Sequence, residues 1–326
     1  MTKLGIFITQ YSLLVYILID KDWKETKYLW LNTRIDSSIK NNMKKCGVNH
    51  MWGDFADGIK IKSSRWIFHR AFVKLAKYIL LLRVKFSRIC FYKKNSTHVY
   101  GQDHASLSKI FYGYKFITIE DGTANYLKKE YNISLLKKNA KHLLKDGVPF
   151  GYSSRVDEVF LTGRKKIEDD TIRAKATIFD IKTCWDNKTT IEKNEILFVF
   201  GYNVDRMKQF TNEGRDIFLI TQNYAPLYCS YNKLLNIYKS FLSNIDHKRV
   251  IIKPHPGDNA PYEKFFPKCK VLRENFPFEL VYLTGFPVNK IISINSTSIY
   301  GLWDDDIIES HEEIVHKILE SEEDKS

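Results

Sequence analysis

The chain has 326 residues, of which 44% are hydrophobic and 27% charged, the balance of an ordinary globular protein with room for about two domains. It holds no low-complexity tract and no repeat of about 20–50 residues, which excludes disordered scaffolds and solenoids. Net charge is +13, but ten acids and two lysines fall between Asp304 and Ser326, leaving +21 on residues 1–303, a body that attracts anionic partners.

The N-terminal LGIFITQYSLLVYILID is broken by Thr9, Gln10, Tyr11 and Ser12, and no small-residue cleavage site follows it. It reads as a strand over residues 5–9, a helix over 11–19 and a next strand over 28–32, a βαβ start that speaks against secretion. The five cysteines (Cys46, Cys90, Cys184, Cys229 and Cys269) are odd in number and form no CxxC pair, which fits a reducing cytoplasm. Residues 70–90 have the periodicity of a helix, with Phe72, Leu75, Ala76, Ile79, Leu82 and Phe86 on one side. Lys74, Lys77, Lys85 and Arg88 fall opposite, as a solvated face or as a stripe that lies on an anionic membrane.

Further strands are expected at 98–101, 116–120 and 158–161. Residues 163–194 are crowded with charge and lack sustained periodicity, so the inter-domain connection is placed near their end. The second half is expected to open with strands at 196–200 and 217–221, a helix at 231–245, and strands at 250–252 and 290–294. Residues 307–319 read as one acidic helix. The fold class is thus α/β, with halves 1–190 and 191–326 as two Rossmann-like domains facing a central cleft. Ligands of such sheets bind beyond the carboxyl ends of the strands, and three motifs stand at such ends.

In FITIEDGTANY, an apolar run ends in Glu120 and Asp121 before Gly122 turns the chain. Adjacent carboxylates there can abstract a proton, bind a metal or cap a following helix. In IIKPHPGD, Pro254 and Pro256 stiffen the backbone around His255, and Lys253 precedes them. The imidazole and the ammonium suit a phosphate leaving group, while a lone histidine in a tight turn also has a purely structural reading. In ISINSTSIYG, Ser296, Thr297 and Ser298 lie between a strand and a helix start at Ile299, offering hydroxyl and amide donors to an anion. A simple N-cap needs only one of the three.

An acidic-acidic-Gly motif, then His-Pro, then a Ser/Thr cluster, in that order, resembles the bacterial sialyltransferases. The extended form IEDGTANY is most similar to glycosyltransferase family 52, which holds lipooligosaccharide and capsular sialyltransferases. The resemblance covers most of the chain, from the N-terminal strand to the serine motif. It implies a GT-B-type fold and inverting transfer of sialic acid from CMP-sialic acid to a terminal galactose or similar hydroxyl. It further implies Asp121 or Glu120 as base and His255 as acid towards the departing phosphate. Gly122, Lys253, Pro254, Pro256, Ser296, Thr297 and Ser298 would then hold the donor. Some family members take their base from an acid shortly before His-Pro, but ITQNYAPLYCSYNK, residues 220–233, carries none.

A single phosphate can be neutralised by an imidazolium and neutral donors, so no metal and no cofactor is expected. The strings Asp304–Asp306 and Glu168–Asp170 carry little weight as metal sites. The expected partners are CMP-sialic acid and a glycan acceptor, with peripheral contact to the inner, anionic membrane face; dimerisation is left open. Rival readings are a transferase with another nucleotide donor, including polyol-phosphate transfer, a silent sugar-binding protein, and a nucleic-acid-binding protein. The last lacks any RNP pattern, zinc spacing or basic arm, so no nucleic acid is expected.

Overall fold

Every strand pairing among the described residues is parallel, which requires helices on both faces of the sheets and explains strands that are apolar throughout rather than alternating. The computed structural model describes residues 1–30, 35–52, 96–105, 108–139, 141–144, 147–225 and 228–320. The expected helix at 70–90, with its basic stripe and Cys90, lies outside them. The chain divides into two compact units, Met1–Val199 and Phe200–Ser326.

The first unit carries seven strands: β1 (Thr2–Ile6), β2 (Lys27–Leu29), β3 (Met51–Trp52), β4 (Thr97–Gly101), β5 (Lys115–Ile119), β6 (Glu158–Leu161) and β7 (Ala176–Ile178). They are ordered β3-β2-β1-β4-β5-β6-β7, so the chain reverses its direction of travel across the sheet between β1 and β4. The N-terminal apolar segment becomes β1 and the ten-residue helix Gln10–Ile19. That helix is buried almost all round, from Leu13 to Leu18, which is why its composition resembles a membrane segment although it is a core helix. Among the described residues no helix is long and apolar enough to cross a membrane.

The second unit carries β8 (Ile217–Ile220), β9 (Val250–Lys253), β10 (Lys270–Val271), β11 (Lys290–Ser293) and β12 (Ile308–Ser310), ordered β10-β9-β8-β11-β12. Its reversal falls between β8 and β11. The helix Tyr231–Phe241 lays Leu234, Leu235 and Tyr238 on β8 and β9 to form the core with Val250, Ile252 and Ile292. The α/β, Rossmann-like class expected from the sequence is the one observed in both units.

Two local expectations fail for identifiable reasons. Residues 196–199 are not a strand but the end of the helix Thr190–Val199, and Phe200 follows it in a turn. A capping box starts that helix: the Thr189 amide donates to Glu192 Oε2 at 2.8 Å and the Glu192 amide donates back to Thr189 Oγ1 at 3.2 Å. The charged stretch 163–194 contributes β7, which pairs with β6 on the edge of the sheet. Residues 307–319 are not one helix: β12 first extends the second sheet, with Ile308 beside Ile291, and the helix begins only at Glu313.

Gly101 closes the switch between β1 and β4. A Cβ there would stand 1.9 Å from the Ile6 carbonyl oxygen, on backbone that cannot yield. We expect Gly101→Ala to destabilise the protein by about 2 kcal/mol or more, read as a lowered unfolding midpoint; an unchanged midpoint would mean that the two strands separate freely.

Candidate active site

Three loops of the first unit converge where its sheet reverses direction. Gln102, the first residue after β4, is fully buried and stitches them together: its Oε1 accepts from the Ile8 amide at 2.8 Å and its Nε2 donates to the Ile119 carbonyl at 3.4 Å. Thr9 ends the β1 loop and caps the helix Gln10–Ile19, its Oγ1 accepting from the Ser12 amide.

The two carboxylates of IEDG separate completely. Glu120 is fully buried and its oxygens receive the Tyr11 hydroxyl at 2.7 Å, the Tyr126 hydroxyl at 2.5 Å and the Thr162 amide at 2.6 Å. The Thr162 hydroxyl and, at 2.6 Å, Arg164 Nε complete the shell. Burial, and then the Glu120 charge, push the Tyr126 hydroxyl well above its ordinary range, so it remains a donor. With five donors on two oxygens, Glu120 has no lone pair to offer a substrate. As a candidate base it is therefore set aside, and its position is that of a structural anion.

Asp121 points the other way. Its side chain is 13% exposed; Oδ1 accepts from the Thr9 hydroxyl and Oδ2 lies 3.3 Å from His104 Nε2. His104 packs on Phe150, ring centroids 5.0 Å apart. The neighbouring Asp103, buried, takes the Phe150 and Gly151 amides at 2.8 Å each. Burial pushes the Asp103 carboxyl up, while His104 and these amides pull it down. The outcome is a clamp that holds Phe150 at φ 69°, against the ring of His104. Gly122 follows at φ 97° and turns the chain away, so that a short 3-10 turn, Ala124–Tyr126, replaces the helix start expected there.

In the second unit the β8, β9 and β11 loops are neighbours. Beneath His255 lies a buried network: the His255 amide donates to Thr221 Oγ1 at 3.2 Å, and the Thr221 hydroxyl donates to Asp258 Oδ2 at 2.6 Å. The Tyr262 hydroxyl reaches the same oxygen at 2.5 Å, and the Ala260 amide takes Asp258 Oδ1 at 3.0 Å. The His255 side chain, together with Pro256 and Gly257, is exposed above this base, whereas Pro254 is buried.

Lys253 departs from its expected role. It is only 5% exposed, its Nζ donates to the Glu274 carbonyl at 2.6 Å and rests over the Phe276 ring at 4.7 Å. The strand's alternation carries this side chain into the core rather than towards a phosphate. Burial lowers its ammonium to about 8, opposed by Glu274. Ser296 and Ser298 share a hydrogen bond at 2.8 Å, with Thr297 exposed between them. They sit on the 3-10 turn Thr297–Ile299, and the Ser296 amide is tied to Ser293 Oγ at 3.0 Å. Tyr224, from the β8 loop, donates to Asn295 Oδ1 at 2.9 Å and joins the two loops at the switch point. Among the described residues no group of three or more His, Cys, Asp or Glu is placed to hold a metal ion.

Sequence reasoning missed His104, Thr9 and Thr221. His104 had a legible signal, GQDH directly after a strand; the others have none, because their roles depend on which strands become neighbours.

Comparisons place this geometry among known proteins. Residues 21–310 match the model of the family described as Glycosyltransferase family 52. An uncharacterized protein of Haemophilus influenzae is 33% identical over 211 residues, which cover 64% of this chain and 66% of that protein, just under two thirds of its length. Among solved structures, the 2,6-sialyltransferase of Photobacterium sp. JT-ISH-224, in complex with CMP and lactose, aligns with a TM-score of 0.63 at 12% identity. That alignment covers 95% of this chain and 71% of the other. The GT-B domain of the Photobacterium damselae sialyltransferase aligns with a TM-score of 0.57 at 12% identity, covering 94% and 89%. At such identity these likenesses show the fold, a GT-B arrangement of parallel α/β sheets.

Two outcomes are expected of this geometry. Glu120→Ala strands a buried Arg164 and should cost about 3–5 kcal/mol, whereas Asp121→Ala should cost under about 1.5 kcal/mol; urea unfolding of both variants checks the contrast. Because the folded Lys253 releases its proton near 8 and an unfolded lysine near about 10.4, the unfolded state binds more protons between those values. Stability contributed by this group therefore rises with pH through that window and is flat below it. Lys253→Met should remove that rise, seen as the wild-type-minus-variant difference in unfolding midpoint between pH 8 and 10; an unaltered difference would mean that Lys253 stays charged.

Proposed function

This chain belongs to glycosyltransferase family 52, and on that premise we propose that it is an inverting sialyltransferase acting from CMP-sialic acid onto a terminal galactose hydroxyl. The acceptor proposed is a bacterial surface glycan of the lipooligosaccharide or capsule type. One observation carries the reading: the family-like motifs supply one part-buried carboxylate, Asp121, and one exposed imidazole, His255, each at a strand's carboxyl end beside a fully satisfied buried carboxylate.

Asp121 is the base. Its Oδ1 is held by Thr9 and its Oδ2 faces His104, which fixes the carboxylate plane while leaving lone pairs for the acceptor hydroxyl. As the acceptor oxygen attacks the anomeric carbon of sialic acid, its proton passes to Asp121 and the bond to the CMP phosphate breaks. Negative charge then grows on one phosphate, where His255 and the hydroxyls of Ser296, Thr297 and Ser298 act as donors. Lys253 has no direct part, since its ammonium is committed to the Glu274 carbonyl. The CMP and lactose in the Photobacterium complex support this choice of donor and acceptor class. The +21 body favours an anionic donor and a peripheral place on the inner membrane face, where lipid-linked acceptors gather.

Asp121→Ala should lower turnover by about 10²–10⁴-fold while leaving CMP affinity nearly intact. His255→Ala should lower turnover and weaken CMP binding together. Initial rates and CMP titrations on the two variants test the assignment; a near-wild-type rate in either removes that residue from the mechanism.

A further inference from the structure

The loop that carries His255 fixes more than the position of its ring. Gly257 is held at both ends: its amide donates to His255 Nδ1 at 3.1 Å, and its carbonyl accepts at 2.9 Å from Asn223, whose side-chain amide is oriented with nitrogen towards the two carbonyls it faces because oxygen there would meet only acceptors. The Asn223 amide nitrogen also reaches the Ala225 carbonyl at 3.2 Å, so it bridges the β8 loop to the β9 loop. The turn is closed by the Asp258 amide on the His255 carbonyl at 2.8 Å. A Cβ at Gly257 would come within 2.7 Å of the Asn223 side-chain amide and would have to displace it.

A backbone N–H only donates, so Nδ1 must present its lone pair, and the ring's proton then sits on Nε2. Protonating Nδ1 as well would set one N–H against another, on a glycine whose carbonyl Asn223 holds. We propose that Asn223, through Gly257, is a positioning residue that keeps His255 in its neutral Nε2–H form, and that His255 meets the leaving phosphate as a hydrogen-bond donor rather than as a proton donor. The inference rests on the donor assignment above.

The chemistry balances without a proton from His255. The bond between the anomeric carbon and the phosphate oxygen breaks with its electron pair on oxygen, the acceptor oxygen bonds to carbon, and the acceptor's proton goes to Asp121. A phosphate monoester has a second pKa of about 6, so near neutral pH CMP leaves as the dianion and needs donors, not acid. Two charged side chains of the same segment, Asp258 and Lys253, are committed to other partners. Both oxygens of Asp258 are taken by Thr221, Tyr262 and the Ala260 amide, and Lys253 is turned onto the Glu274 carbonyl.

The test is ¹⁵N NMR of histidine-labelled protein at neutral pH, with and without CMP, the His255 signals identified from the His255→Gln spectrum. The expected result is an unprotonated Nδ1 and a protonated Nε2 in both states. Gln, whose amide can stand in for Nε2–H, should retain at least about tenfold more turnover than Ala at this position. Asn223→Ala should lower kcat about tenfold, with KM for CMP-sialic acid little changed, and should let Nδ1 protonate. Two protonated nitrogens in the wild-type CMP complex, or a Gln variant as inactive as Ala, would overturn the inference. If CMP moves no His255 signal, the donor assignment falls instead, while the spectrum of the free protein still decides the tautomer.

Discussion

The buried Glu120 carboxylate, paired with Arg164 at 2.6 Å and ringed by Tyr11, Tyr126 and Thr162, is the interaction on which the first unit's site depends. An isolated charge at that depth would be prohibitively desolvated, so the strand ends must come together to supply its donors. Tyr11 brings the first turn of the helix after β1, Thr162 and Arg164 bring the β6 loop, and Tyr126 brings the chain beyond Gly122. Once these are fixed, the next residue along, Asp121, has its direction fixed too. The peptide alternation that buries Glu120 turns Asp121 outward, onto Thr9 and His104.

The second unit repeats the device with different residues. Asp258 is buried, takes the hydroxyls of Thr221 and Tyr262, and through Thr221 holds the amide of His255. In each unit a satisfied inner carboxylate organises the strand ends, and a neighbouring residue in the same short motif, Asp121 or His255, faces away from it. Satisfying the inner group fully is what makes the outer one rigid, because a half-satisfied buried network would relax by moving the loop.

Much of this was legible in the residues. Alternating apolar runs and helical periodicities were enough for two parallel α/β units, and the IEDG, KPHPG and STS motifs were rightly placed at strand ends. What could not be read was which member of a motif faces inward. Glu120 and Asp121 are chemically alike in the sequence, and only their positions relative to β6 and β4 separate a fully buried anion from a part-exposed one. Lys253 was assigned to phosphate because it precedes His-Pro, but strand alternation sends it to the Glu274 carbonyl. The helix Thr190–Val199 was hidden because its apolar end, ILFVF, outweighed the quieter capping pair of Thr189 and Glu192. Thr9 and Thr221 gain their contacts from neighbours far away in the chain, Asp121 and Asp258, which no local pattern encodes.

The proposed activity is transfer of an acidic sugar from CMP to a galactose hydroxyl. The most direct measurement is CMP release from CMP-sialic acid in excess EDTA, with and without a galactose-terminated acceptor, against UDP-sugar donors as comparison. The account requires release that the acceptor stimulates, that tolerates EDTA and that UDP does not inhibit. Turnover of a UDP-sugar in its place, or CMP release that no galactosyl acceptor stimulates, would contradict it.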